Sequence, residues 1–311
     1  MITFGPVPSR RLGNSLGINN IPPKTCSYAC VYCQLGRTSS MRIARRPFYE
    51  PREIFRDVKS MLDRVVDAGN TADYLAFVPD GEPTLDSNLG RTIDLLRPLG
   101  IDIAVITNSS LIWREDVRAD LMKTDWVCFK LDSCDDTIWR AINRPHGSLT
   151  LDAIKDGLQG FAGAYRGILA VEVMLIGGVN DEPEAIGGIA SFLADIQPAR
   201  VYLSVPIRPP AERWVARPDA ASLNRAFQIL NRSLSGVECL TRYEGNQFAH
   251  TGRIEEELLR ITAVHPMREE AVRALLQRAG TDWSVMQALI EAGRIVETEY
   301  EGRKFYLRLF D

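Results

Sequence analysis

No apolar run in the 311-residue chain reaches the ~18 residues that a membrane-spanning helix needs. Its start, MITFGPVPSRRLG, lacks the basic-then-apolar layout of a secretion signal. Both absences point to a cytoplasmic protein without a membrane partner. Six cysteines are too few for a disulfide scaffold at this length, and no secretion signal places them in an oxidising compartment. A composition of 45% hydrophobic and 25% charged residues excludes disordered and fibrous chains. The net charge of -3 argues against a protein that coats nucleic acid. Acidic residues are absent from residues 1–49, where Arg10, Arg11, Lys24, Arg37, Arg42, Arg45 and Arg46 give +7 and leave -10 for the remainder. This arm either is a solvated surface or faces something anionic.

Beyond the arm, short apolar runs alternate with helical patterns. Runs at 74–78, 101–106, 126–131, 169–176 and 201–205, with an earlier one near 16–21, predict buried strands. Apolar residues at three- and four-residue spacing predict helices over 52–66, 89–96, 151–161, 184–193 and 220–234. Such alternation predicts an α/β sheet or barrel of parallel strands. The first four of these later runs each end in a polar or glycine-bearing loop, DGEPT, TNSS, DSCDD and GGVND, on the face where such folds place their sites. The alternation stops near Cys239, which divides the chain into 1–238 and 239–311. Helical patterns at 254–262, 268–277 and 283–292, the last behind Asp282 as cap, precede strand-like runs at 294–300 and 304–309. Three helices and a β-ribbon resemble a winged helix, which raises nucleic-acid binding. Residues 253–311 nevertheless carry nine basic against eleven acidic side chains, without a basic footprint, which favours a packing or substrate-docking role over nucleic-acid binding.

The stretch Cys26-x3-Cys30-x2-Cys33 holds three of the six cysteines. Three thiolates are one short of a closed zinc site, and no histidine lies near them, so zinc needs a distant fourth ligand. On a [4Fe-4S] cluster, three cysteines leave one iron open to a ligand that is not protein. A disulfide is the remaining alternative, disfavoured in a cytosolic chain. Cys128 has apolar neighbours that place it in the core, whereas Cys134 follows a strand and could face the site.

This triad, with Tyr32 before its last cysteine, resembles the signature of the radical S-adenosylmethionine (SAM) superfamily, and the likeness extends over the strand-end loops from about residue 5 to 210. The resemblance implies a partial (β/α) barrel with a small winged-helix-like domain behind it. It also implies a cluster on Cys26, Cys30 and Cys33, SAM as cofactor, and a 5'-deoxyadenosyl radical that takes hydrogen from a substrate. Gly81, Glu82 and Pro83 match the family's Gly-Gly-Glu-Pro stretch, which receives the SAM ammonium; Asp80 replaces the first glycine. Thr107, Asn108 and Ser109 are expected near the SAM carboxylate, Asp132 and Ser133 near the ribose, and Tyr32, Ile176 and Val205 along the adenine. Arg144, in the stretch INRPHG, is expected to face the cavity, and His146 to be structural.

The stretches GPVPSRRLGNSLGINN, INRPHG and YLSVPIRPP resemble iron-sulfur oxidoreductases related to tRNA wyosine-base synthases. Those synthases carry further cysteines upstream of the triad, but here Cys26 is the first. The resemblance implies a reductant such as flavodoxin or ferredoxin and admits an RNA, peptide or small-molecule substrate. A metal- or redox-sensing nucleic-acid-binding regulator is the alternative class.

Overall fold

The computed structural model describes residues 2–241, 248, 250 and 252–309. A hairpin of β1 (Thr3–Ser9) and β2 (Gly13–Ile18) opens the chain, and the short β3 (Thr25–Cys26) and β4 (Ser40–Met41) bracket the cysteine loop. Then follow α1 (Pro51–Asp67), β5 (Tyr74–Phe77), α2 (Leu89–Leu96), β6 (Asp102–Thr107), α3 (Glu115–Leu121), β7 (Trp126–Lys130), α4 (Asp136–Asn143), α5 (Leu151–Ala164) and β8 (Ile168–Met174). Next come α6 (Pro183–Ile196), β9 (Arg200–Ser204), α7 (Ala220–Asn231) and β10 (Val237–Leu240). The sheet runs β1-β2-β5-β6-β7-β8-β9-β10, parallel except at the hairpin, and curls into a half-barrel.

Period-two alternation builds its two faces. Leu75, Phe77, Ile103, Val105, Val127, Phe129, Val171 and Val173 point outward to the helices. From α1, Ile54, Val58, Met61 and Val65 return a stripe at helical spacing, and Pro51 in its first turn needs no hydrogen-bond partner for an N–H it lacks. The inward row begins with the small residues Ala76, Ala104, Cys128 and Ala170 packed around Leu12, Trp126 and Tyr202. Because that floor is low, room remains above it for a cavity of about 310 Å3.

The expected break at residue 238 falls inside β10, which pairs in parallel with β9. Beyond it, α8 (Ile254–Val264), β11 (Met267–Arg268), α9 (Glu269–Arg278), α10 (Ser284–Glu291), β12 (Ile295–Tyr300) and β13 (Arg303–Arg308) form the winged-helix arrangement, with its sheet ordered β11-β13-β12. β11 takes residue 268, expected as helix, because its backbone pairs with β13. Helix α10 starts after Trp283, one residue later than the expected cap, although Asp282 still accepts the Ser284 N–H at 2.9 Å. Phe4 and Val7 of β1 belong to this unit's core, so it is packed on the barrel rather than tethered to it.

Candidate cluster and cofactor site

The cysteine loop leaves β3 and is stitched to the end of α4. Val31 N donates to Ile142 O at 2.9 Å, Ala29 N to Asn143 O at 3.1 Å, and His146 N to Ser27 O at 2.9 Å. All six cysteines are free thiols, which removes the disulfide alternative. Burial pushes Cys26 well above the usual thiol range and Cys30 to about 12, and raises Cys33. Buried thiols of this kind become thiolates when a bound cation stabilises them. Among the described residues, no three His, Cys, Asp or Glu side chains gather closely enough to hold one metal ion. Ligands to separate irons of a cluster need not converge on one point.

The loop after β5 packs directly against β3. A Cβ on Gly81 would stand 1.9 Å from Thr25 O, so only glycine permits this approach. Glu82 is buried; Oε1 accepts from Thr84 N (3.0 Å), Thr84 Oγ1 (2.6 Å) and Thr107 Oγ1 (2.6 Å), while Oε2 accepts from Asn108 N (2.7 Å) and keeps acceptor capacity. Burial raises its pKa and the four donors oppose that rise. Ser109 adopts φ 69 and donates to Lys130 O at 2.9 Å. Pro83 carries the following turn.

Asp132 is buried at the end of β7. It accepts from the Tyr32 hydroxyl, from Asn143 Nδ2 at 2.7 Å and from Met174 N at 2.9 Å. Ser133 is buried beside it and accepts from Asp135 N at 2.9 Å. Ile176 packs with Val31, Ile142 and Val215 behind the cysteine loop.

The cavity is lined by Tyr32 and Cys33 at one end and Val205 along its wall. Lys130 and Glu172, register partners on β7 and β8, also line it: Lys130 Nζ lies 3.1 Å from Glu172 Oε1, with Arg11 on Oε2 and Ser204 Oγ at 2.8 Å. Burial opposes ionisation of Glu172, but Arg11 and Lys130 outweigh it and hold the carboxyl well below the usual range. Val264 and His265 of the C-terminal unit line the same cavity, and Gln34, next to Cys33, donates to Val264 O at 2.9 Å.

Residues 20–187 match the sequence profile of the Radical SAM superfamily. The chain belongs to the radical SAM superfamily. A UPF0026 protein of Methanocaldococcus jannaschii is 46% identical, the match covering 99% of this chain and 96% of that one. Among solved structures, a radical SAM methyltransferase from Sphaerobacter thermophilus superposes with a TM-score of 0.55 at 19% identity, covering 74% of this chain and 67% of that one. TYW1 with a lysine-pyruvate adduct bound gives 0.54 at 16% identity, covering 71% and 74%. At these identities the likeness is one of fold.

As a radical SAM enzyme, the chain uses a [4Fe-4S] cluster and SAM, and the residues present fit that pair. Three free thiols share one loop, and Gly81 lets the motif loop pack directly against the strand that leads into it. Tyr32, Cys33 and Val205 meet in the cavity, while Glu82, Thr107 and Asn108 meet around Cys26. Arg144, expected in the cavity, instead pairs with Glu212 at 2.6 Å on the surface, since its left-handed φ of 44 at the end of α4 turns the chain outward. His146 is structural: its backbone N–H holds Ser27 O, and Nδ1 accepts from Ser148 N at 3.2 Å. Cys134 lies in a groove with Asp152, Lys155 and Phe192, between α5 and α6. Lys130, Glu172 and Asn143 were missed, although a lysine and a glutamate inside apolar strand runs were a visible signal.

Proposed function

We propose that Cys26, Cys30 and Cys33 ligate the cluster and that its substrate reacts in the cavity between Cys33 and the Lys130–Glu172–Arg11 group. Gly81, Glu82 and Pro83 receive the SAM ammonium, with Oε2 of Glu82 offering its open side. Thr107, Asn108 and Ser109 face the carboxylate, Asp132 and Ser133 flank the ribose, and Tyr32 and Val205 border the adenine, whereas Ile176, expected beside them, packs behind the cysteine loop and does not line the cavity. When bound, cluster and SAM supply the electron and the 5'-deoxyadenosyl radical. The protein's own part is to orient, to exclude water and to present the substrate hydrogen.

The observation that carries this reading is the position of the cavity, which runs from Cys33 to a buried ion-pair group and is lined at its edge by Val264 and His265. A volume of about 310 Å3 suits a small molecule or one extruded base rather than a folded chain. The RNA-base alternative draws support from the likeness to wyosine-base synthases. We place the start of the small unit after β10 and assign it the closing of the cavity. Its third helix, α10, carries no arginine or lysine, which speaks against the nucleic-acid-binding regulator. A small electron-transfer protein such as flavodoxin or ferredoxin is the proposed reductant.

Substrate identity is tested by incubating the reconstituted enzyme with deuterated candidate metabolites and RNAs. Deuterium in 5'-deoxyadenosine from one candidate, lost in Lys130→Met, is expected. Equal transfer by the variant would place the substrate elsewhere.

A further inference from the structure

We infer that Asn143 and Asn108 are positioning residues whose side-chain amides donate to the Cys30 and Cys26 thiolates and set the cluster's reduction potential. The inference rests on the cysteine triad being the cluster site. Asn143 is 2% exposed, with Nδ2 3.5 Å from Cys30 Sγ and 2.7 Å from Asp132 Oδ2. An amide nitrogen carries two hydrogens: one goes to Asp132, and the other points between Cys30 Sγ and the Tyr32 hydroxyl oxygen, which lies 3.4 Å away. Asp132, held by Tyr32 and by Met174 N, accepts only, and so it dictates that nitrogen rather than oxygen turns to the sulfur. The backbone bonds from Ala29, Val31 and His146 bind this segment to the cysteine loop, so amide and sulfur keep their relation.

Asn108 repeats the arrangement at the first cysteine. Its Nδ2 lies 3.4 Å from Cys26 Sγ and 2.9 Å from Ser27 Oγ, while Oδ1 accepts from Ser110 N at 2.9 Å and so fixes the amide's orientation. A neutral N–H aimed at a thiolate favours the more negative, reduced state without adding charge, and hydrogen bonds to sulfur are among the determinants of iron–sulfur potentials. The INRPHG stretch thus does its main work through Asn143 rather than through Arg144 or His146.

The test is a redox titration, followed by electron paramagnetic resonance, of the anaerobically reconstituted full chain without SAM, with iron and sulfide measured alongside. Asn143→Leu keeps the branched shape and the number of heavy atoms and removes the donor. It should bind the wild-type complement of iron while its reduced-to-oxidised ratio at fixed potential falls roughly tenfold, a shift of about 59 mV for one electron. Asn143→Gln, which keeps an amide, should lie between leucine and wild type. A fully loaded Asn143→Leu with an unchanged midpoint overturns the inference. If that variant fails to fold, Asn108→Ala decides: a negative shift supports the inference and an unchanged midpoint overturns it. A wild-type chain that takes up no cluster refutes the cysteine assignment itself, a separate result.

Discussion

Asp80 stands where the family's first motif glycine is expected, and burial pushes it from 3.8 to about 7 despite a hydrogen bond from Asn19. Its Oδ1 is buried and has no partner among the described residues. Folding raises this pKa, so the folded chain holds the proton more tightly than the unfolded one. The contribution is full below about pH 4 and is lost as pH rises through about 7. Asp80→Asn is neutral throughout. Urea unfolding should therefore show the variant gaining on wild type by roughly 2–3 kcal/mol from about pH 5 to about pH 7, at ~1.4 kcal/mol per unit. Parallel stability profiles would contradict this, while Asp86, pushed to about 6 by burial, leaves a slope of the same sign in both proteins. The cysteines and the Gly-Glu-Pro run were legible because their chemistry lies in local spacing. Asn143 was not, since its contact with Cys30 joins positions 113 apart and exists only after folding.

At the scale of elements, the site depends on two loops meeting, the cysteine loop after β3 and the motif loop after β5. Gly81→Ala drives a Cβ into the Thr25 backbone and should cost about 1–3 kcal/mol while lowering iron uptake, as read by urea unfolding and iron analysis. Gly160→Ala, inside α5 with nothing within 4 Å of its Cβ, should instead gain about 0.5–1 kcal/mol and leave iron uptake unchanged. The parallel strands and their long helices were readable because apolar runs and helical stripes are strong signals. β1 was hidden by Gly5, Pro6 and Pro8, which a strand at the sheet's edge tolerates. β10 was hidden because Glu238 and Cys239 are exposed, and α3 and α4 because each buries only two apolar residues, Val117 and Leu121 in one and Trp139 and Ile142 in the other.

For the whole molecule, the +7 arm proves to be largely an internal fastener. Arg45 reaches Asp116, Asp120 and the carbonyls of Thr84 and Asp86; Arg37 meets Glu212; Arg10 bonds Leu240 O near the sheet's far edge. Of the seven basic residues, only Arg10 and Arg11 line the cavity. The charge asymmetry was plain in the sequence, but its destination depended on which acidic residues the fold brings near. Barrel and C-terminal unit share one cavity, so binding and chemistry are expected to be lost together when the cluster loop is emptied. The most direct measurement is 5'-deoxyadenosine formation by the anaerobically reconstituted chain with SAM and dithionite, beside a variant with Cys26, Cys30 and Cys33 changed to alanine. The wild type should carry one [4Fe-4S] cluster and cleave SAM, and the variant should do neither; a fully loaded wild-type cluster that never cleaves SAM would refute the assignment.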